Sequence, residues 1–170
     1  AAVLGHEIVH AAARHGAKSM ERGMLLQGAV MATAIASREQ KYNNYIVQGA
    51  ALGAQLVSQK YGRSAELESD YYGMRYMARA GYNPAAAVNL QETFVRLSKD
   101  RKSSWLDGLF ASHPPSLERV ETNRKTVTEL GNEGEVGRER YHQKIAHLRR
   151  SKPAYDAYDE AQKKIAADDL

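Results

Sequence analysis

The first ten residues contain the pattern His-Glu-x-x-His, and the types and spacing of His6, Glu7 and His10 suit metal-dependent hydrolysis. Residues four apart project from one face of a helix, so the two imidazoles could hold one Zn²⁺ between them. Glu7 points about 100° further round the helix, which favours taking a proton from water over binding the metal. The pattern therefore predicts a zinc site with Glu7 as general base.

A second segment supplies the third ligand that two histidines need. Glu66 and Asp70 lie four apart in a predicted helix that Ser64 could cap and Gly81 could end. Glu66 could bind the metal, and Asp70, one turn on, could accept the free ring N–H of a ligating histidine. Glu68 points to another side of this helix. The alternative, a solvated acidic face, is less favoured beside a His-Glu-x-x-His pattern.

Helical periodicity predicts the elements that position these residues. The first helix is expected to bury Leu4, Ile8 and Ala12 on the side away from the metal and to end at Gly16. By the same helical angle His15 points away from the metal pair, so it is interpreted as structural.

Two apolar helices follow, at about 20–37 and about 45–61, with Gly62 expected to close the second. They are predicted to pack as a hairpin beside the site. The apolar run of the first helix is too short to span a membrane, since a span needs roughly 20 residues. Peripheral attachment of the hairpin to a membrane, or contact with an unfolded substrate, is left open.

The second half of the chain begins with a helix from Pro84 to about Asp100. His113 precedes two prolines, which should hold it in an extended loop before a helix that ends at Leu130. A surface histidine that only introduces a turn is the alternative.

The glycine-rich segment 131–137 predicts a linker between a domain at 1–130 and C-terminal helices at 138–170. Within the C-terminal part, a basic helix is expected at 138–150 and an amphipathic one at 153–167. The second of these is similar to the first helix of a tetratricopeptide array.

Composition narrows the classes of function. With 170 residues and 43% hydrophobic content, the chain can bury one core and carry an appendage. The absence of cysteine excludes disulfides and thiolate ligands, so a metal must use histidine and carboxylate. The net charge of +4 is diluted among 20 acidic residues, so nucleic-acid binding is not expected. Because the chain starts inside the metal helix with no capping residue, we expect a fragment without its targeting signal.

Three motifs together resemble a known family. The segments Leu4–His10, Glu66–Asp70 and Ala80–Pro84 are similar to those of the gluzincin metallopeptidases that include HtpX and the CAAX prenyl endopeptidases. The soluble bacterial branch of BepA and LoiP is the most alike. The resemblance covers roughly residues 1–125.

The resemblance implies a set of site residues and a setting. It implies one Zn²⁺ per chain held by His6, His10 and Glu66, with Glu7 as base and Asp70 as the matching aspartate. A similar His-Pro segment in the family implies that His113 faces the zinc, either as a donor to the transition state or as a fourth ligand. Unfolded or misfolded proteins of the bacterial periplasm or envelope are the implied substrates.

The predicted fold class is mainly α, a zincin-like helical core without the small β-sheet that the family carries upstream, because no segment alternates with period two. Zincins present substrate along such a sheet, so we expect dependence on an upstream piece of the same protein. The predicted function is zinc-dependent endoproteolysis in envelope protein quality control. The alternative is a zinc-stabilised chaperone-like or adaptor module that binds without cutting. An intact Glu7 argues against it, since a structural zinc needs no base.

Overall fold

The computed structural model describes residues 1–99 and 104–167, and helices dominate this part of the chain. Within these ranges no strand occurs, and an isolated bridge pairs Tyr82 with Glu135. The predicted mainly α class is confirmed. The helices of the described residues are α1 (Ala2–Ala12), α2 (His15–Ala36), α3 (Asn43–Arg79), α4 (Ala85–Lys99), α5 (Ser104–Ser112), α6 (Leu117–Leu130), α7 (Arg138–Lys144) and α8 (Ala146–Ala166).

The chain divides into two compact units, Ala1–Glu135 and Val136–Leu170. The division falls inside the predicted linker, but residues up to Glu135 are attached to the first unit. The Asn83 N–H donates to the Glu135 carbonyl at 3.1 Å, and the Glu135 N–H donates to the Gly81 carbonyl at 2.8 Å. Gly134 packs so closely that an added Cβ would lie 2.7 Å from the Tyr82 carbonyl carbon. Whether the two units are separate domains stays a prediction.

The core of the first unit forms where the C-terminal half of α3 packs against α4 and α6. Side-chain caps set where α4 and α6 begin. The Asn83 side chain accepts from the Ala85 N–H at 2.8 Å, and Ser116 accepts from the Arg119 N–H at 3.2 Å. These starts turn the apolar face of each helix toward α3. The buried residues of this core are Met74, Met77, Ala87, Val88 and Val120.

A glycine contact fixes the crossing of α1 and α3. A Cβ added to Gly5 would lie 2.8 Å from the Gly73 carbonyl oxygen, and one added to Gly73 would lie 2.9 Å from the Gly5 carbonyl carbon. Neither helix could come this close with a side chain at the crossing. The backbones therefore touch at the level of His6, one residue from Gly5.

This crossing corrects the predicted packing of α1. The helix buries Gly5 and Val9, whereas Leu4 is 66% exposed, Ile8 is 46% exposed and Ala12 is also exposed. The prediction placed the larger apolar residues inward. The glycine determines the packed face instead, because only a face without a side chain allows the observed approach.

Three predicted helix boundaries are wrong. Gly16 does not end α1, because the helix stops at Ala12 and the chain turns at Arg14, whose φ of 56° and ψ of 39° are left-handed. Gly62 does not close a helix and Ser64 does not begin one, since α3 is a single helix of 37 residues that contains both. A glycine inside a helix costs only about 1 kcal/mol relative to alanine, which flanking helical residues can offset. The predicted end at Asp100 lies outside the described residues.

The predicted division of the C-terminal helices is also wrong. The break falls at Ile145, between α7 and α8, and α8 continues through Pro153. A proline can be accommodated inside a helix by a local kink, so its position alone did not mark the helix start.

Helix α2 and the first half of α3 pack as an antiparallel pair, here called the apolar hairpin. Helix α2 buries none of its residues. Large apolar side chains remain exposed along both helices, including Met20, Leu25, Met31, Tyr45, Leu52 and Leu56. In the part of the chain that the structure describes, no helix is both long enough and apolar enough to cross a membrane.

Candidate metal centre

Helices α1 and α3 bring His6, His10 and Glu66 to one point. The Nε2 atoms of the two histidines lie 3.0 Å apart. The Glu66 carboxylate oxygens lie 3.4 Å from His6 Nε2 and 3.1 Å from His10 Nε2. Two ligands of one tetrahedral zinc, each about 2.0–2.1 Å from it, are roughly 3.3 Å apart. The three side chains thus fit the ligand set of one metal ion.

His113, in the loop between α5 and α6, lies at the same point. Its Nδ1 is 3.1 and 3.3 Å from the two Glu66 oxygens, and its Nε2 is 3.6 Å from Glu7 Oε1. One donor atom from each of His6, His10, Glu66 and His113 can be chosen so that all four lie within 4.8 Å of one another. The structure therefore places the loop histidine against the cluster rather than on a distant surface turn.

Glu7 lies at the solvent side of the cluster, with its side chain 49% exposed. Two cavities adjoin the cluster. A cleft of about 640 Å³ is lined in part by His10, Glu66 and His113. A smaller, mainly apolar cavity of about 110 Å³ is lined by Glu7 and, behind it, by Met74. The cluster therefore borders space that a substrate could enter.

Asp70 and Arg119 form the buried support of the centre. Asp70 Oδ1 is 2.9 Å from His6 Nδ1. Arg119 donates from Nε and Nη2 to the two Asp70 oxygens, each at 2.7 Å, and its Nη1 lies 2.8 Å from Glu66 Oε2. Its Nη1 also donates to the Pro114 carbonyl at 3.2 Å, so one guanidinium connects α3 to the loop of His113.

Sequence reasoning missed Arg119. The available signal is its place on the buried stripe of α6, where it shares a face with Val120, Asn123 and Thr126. Arg119 is 3% exposed. A buried arginine requires negatively charged partners in the interior.

Buried hydrogen bonds keep both carboxylates charged. Burial alone would raise the pKa of Asp70, but hydrogen bonds from Arg119 and His6 outweigh it, and the pKa lies below its usual value. For Glu66, burial is likewise outweighed by the His6 hydrogen bond and the Arg119 charge, so its pKa is also lowered. Burial would lower the pKa of Arg119, yet the Asp70 hydrogen bond raises it. The centre therefore holds two anions and one fixed cation.

The two histidines of α1 differ in the metal-free chain. Burial opposes a charge on His6, but hydrogen bonds to Asp70 and Glu66 prevail and raise its pKa to about 9. Burial lowers the pKa of His10, and although the Glu66 charge opposes this, the positive charge of neighbouring His6 adds to it. In the metal-free chain, protonated His6 thus supplies positive charge beside the carboxylates, where a metal cation would otherwise bind.

The raised pKa of His6 predicts how the stability of the metal-free chain changes with pH. A group whose pKa is higher in the folded than in the unfolded state stabilises the fold fully below pH 6.5, and this stabilisation is lost as pH rises through 9. We expect the free energy of unfolding to fall over this interval by at most about 3 kcal/mol. Denaturant titrations of the metal-free chain would measure it. His6→Gln should lack the decrease, and an equal decrease in that variant would contradict the assignment.

His15 lies where the sequence did not place it. His15 Nδ1 is 3.1 Å from His10 Nδ1, and His15 Nε2 is 3.3 Å from Glu68 Oε2. His15 was expected to point away from the metal pair, whereas Glu68 was expected on another side of its helix than Glu66 and Asp70, and it contacts His15 rather than the metal cluster. The helical angle of α1 does not extend to His15, because the left-handed turn at Arg14 brings the start of α2 back against α3.

Comparison with known proteins finds peptidases as relatives of this chain. The sequence profile of peptidase family M48 matches residues 1–127. The metalloprotease LoiP of Escherichia coli is 29% identical over 76% of this chain and 50% of its own length. The mitochondrial metalloendopeptidase OMA1 of Saccharomyces cerevisiae is 27% identical over 74% of the chain and 35% of its own length. A putative beta-barrel assembly-enhancing protease of Vibrio cholerae is 30% identical over 74% of the chain and 26% of its own length.

The chain spans half or less of the length of these relatives. No solved structure matches it significantly.

Proposed function

Because the chain belongs to peptidase family M48, we propose that it is a zinc-dependent endopeptidase that hydrolyses peptide bonds in proteins. One observation carries the proposal: the donor atoms of His6, His10 and Glu66 converge on one point, with the Glu7 carboxylate beside it. A structural zinc site would need no general base such as Glu7.

The donor set suits zinc. His6, His10 and Glu66 would hold the ion, and two imidazoles with one carboxylate are the ligands of several catalytic zinc sites. When bound, zinc supplies a Lewis acid that polarises the scissile carbonyl and lowers the pKa of water at an open position. Asp70 accepts the Nδ1–H of His6, which directs the Nε2 lone pair of that ring into the centre.

Glu7 and His113 act on the substrate from the open side of the centre. Glu7 takes a proton from the attacking water and delivers it to the nitrogen of the leaving amine. Because His113 Nδ1 donates to Glu66, its Nε2 donates to the oxygen on which negative charge develops only in the imidazolium form. The 3.6 Å between His113 Nε2 and Glu7 Oε1 supports the proposal that both groups act on one substrate.

Metal removal tests the proposal directly. Chelation should abolish cleavage of a protein substrate, and one equivalent of zinc per chain should restore it. Glu66→Ala should remove both the metal and the activity, whereas Glu129→Ala, an exposed glutamate on α6, should change neither. Cleavage that survives chelation, or stoichiometric zinc in Glu66→Ala, would contradict the proposed site.

His113→Ala is expected to lower kcat about 100-fold with little change in KM or zinc content, because its hydrogen bond strengthens only as charge develops. Steady-state kinetics with metal analysis would measure this. A higher rate in the variant would identify His113 as a fourth ligand that blocks the reactive position. An unchanged rate would indicate that His113 only introduces a turn.

The proposed substrates are unfolded or misfolded proteins of the bacterial envelope. The name of the Vibrio relative, which refers to beta-barrel assembly, supports this setting. The apolar hairpin supports the class of substrate, since exposed side chains such as Leu25, Met31 and Leu52 could hold apolar segments that a folded protein buries. If so, one protein offered in native and unfolded form should be cleaved only when unfolded.

A further inference from the structure

We propose that His15 and Glu68 position His10 for the metal, as Asp70 positions His6. The inference rests on the proposed zinc site and concerns residues that do not themselves bind the ion. It makes His15 a positioning residue with a defined hydrogen bond.

The contacts form a continuous line from α3 to α1. Glu68 Oε2 lies 3.3 Å from His15 Nε2, and His15 Nδ1 lies 3.1 Å from His10 Nδ1. On the other side of the His10 ring, Nε2 faces Glu66 at 3.1 Å. Each nitrogen of the two rings therefore has a partner. The His15 side chain is only 8% exposed, so water does not replace these partners easily.

Glu68 and the metal together determine which nitrogens carry protons. The Glu68 carboxylate can only accept, so His15 carries its proton on Nε2 and leaves Nδ1 as an acceptor. When Nε2 of His10 binds the ion, the proton of this ring must lie on Nδ1, and His15 Nδ1, 3.1 Å away, is the acceptor for it. A metal-binding imidazole needs this tautomer. Ser69, fully buried, lies 3.3 Å from His15 Nδ1 and can donate its hydroxyl to the same acceptor.

The backbone supports the arrangement. Arg14, directly before His15, has a φ of 56°, a conformation that residues other than glycine seldom adopt. Such conformations persist where the surrounding structure requires them. Here the turn at Arg14 brings His15, the first residue of α2, into contact with His10.

Helix α3 thus carries three carboxylates with three roles. Glu66 faces the metal, Asp70 accepts from His6, and Glu68 accepts from His15. Both histidines of the His-Glu-x-x-His pattern are then oriented from one helix, His6 directly and His10 through one intervening ring.

The test compares two replacements of His15. His15→Phe keeps a planar ring but has no acceptor, whereas His15→Asn places a carbonyl oxygen where Nδ1 was. Zinc affinity, measured by competition with a chelator of known affinity, should fall about 10–100-fold in His15→Phe and recover largely in His15→Asn. Glu68→Gln should show a smaller loss. His147→Phe, an exposed histidine in the second unit, is the matched control and should bind as the wild type does.

A purely structural role for His15 would give a different pattern. It would lower the melting temperature of the metal-free chain equally in both His15 variants, without rescue of zinc affinity by asparagine. The Co²⁺-substituted protein adds a spectroscopic check, because a displaced His10 should alter the visible d–d bands in His15→Phe and not in His15→Asn.

The wild-type chain supplies a measurement that no folding defect can obscure. Nitrogen NMR of the zinc-loaded protein should show His15 as the Nε2–H tautomer, with Nδ1 free to accept from His10, and the Nδ1–H tautomer of His15 would overturn the inference. Equal zinc affinity in wild type and His15→Phe would overturn it alone, leaving the proposed function intact. A wild type that takes up no zinc would overturn both.

Discussion

Glu7→Gln is expected to lower kcat by about 10²–10⁴-fold while zinc content and substrate binding stay at the level of the wild type. Glutamine has nearly the same shape but cannot accept a proton from the attacking water. Glu7 lies beside the proposed ligands rather than among them, so its loss should leave the metal in place. Turnover of an unfolded protein, metal analysis and binding of the same substrate would measure the three quantities.

The same variant separates a peptidase from a chaperone-like module. A module that only holds unfolded chains would bind equally well with either residue and cleave with neither. Equal cleavage by wild type and Glu7→Gln would end the peptidase proposal. Glu21→Gln, on the exposed surface of α2, is the control for a nonspecific change of charge and should cleave normally.

Arg119→Met is expected to destabilise the chain by about 3–5 kcal/mol, because it leaves two buried carboxylates without their cation. Asp70 and Glu66 are 6% and 5% exposed, so water cannot take the place of the guanidinium. Arg119→Lys should recover only part of the loss, since one ammonium cannot reproduce the paired bonds to Asp70 and the contact with Glu66. Denaturant unfolding of the metal-free chain would measure the differences.

Arg124→Met is the matched control on the same helix. Arg124 pairs with Glu92 at 2.6 Å, but its side chain is 61% exposed, and exposed pairs contribute about 0–1 kcal/mol. Similar losses in Arg119→Met and Arg124→Met would show that the buried network does not stabilise the fold as described.

Much of the site can be predicted from the sequence because its spacings are local. His6 and His10 share a face by helical geometry alone, and so do Glu66 and Asp70, which the structure places together. The family resemblance added that the two pairs meet, which no periodicity could show. It also placed His113 beside them, although 46 residues separate it from Glu66 in the sequence.

The remainder depends on contacts between distant segments. Which face of α1 is buried follows from Gly73, 68 residues after Gly5, and the sequence of α1 alone favours the larger residues. Arg119 becomes a site residue only when α6 packs against α3. His15 becomes one only when the chain turns at Arg14. In each case the local pattern was ordinary, and tertiary contact gave the residue its role.

The glycine crossing of α1 and α3 has a thermodynamic consequence for metal uptake. Because backbone meets backbone at Gly5 and Gly73, the separation of the helices is set by main-chain atoms that have no rotamers to change. The positions of His6 and Glu66 are then established when the chain folds, before any ion arrives. Little conformational entropy is left to lose on binding, so the affinity reflects the ligand bonds themselves rather than the cost of assembling them.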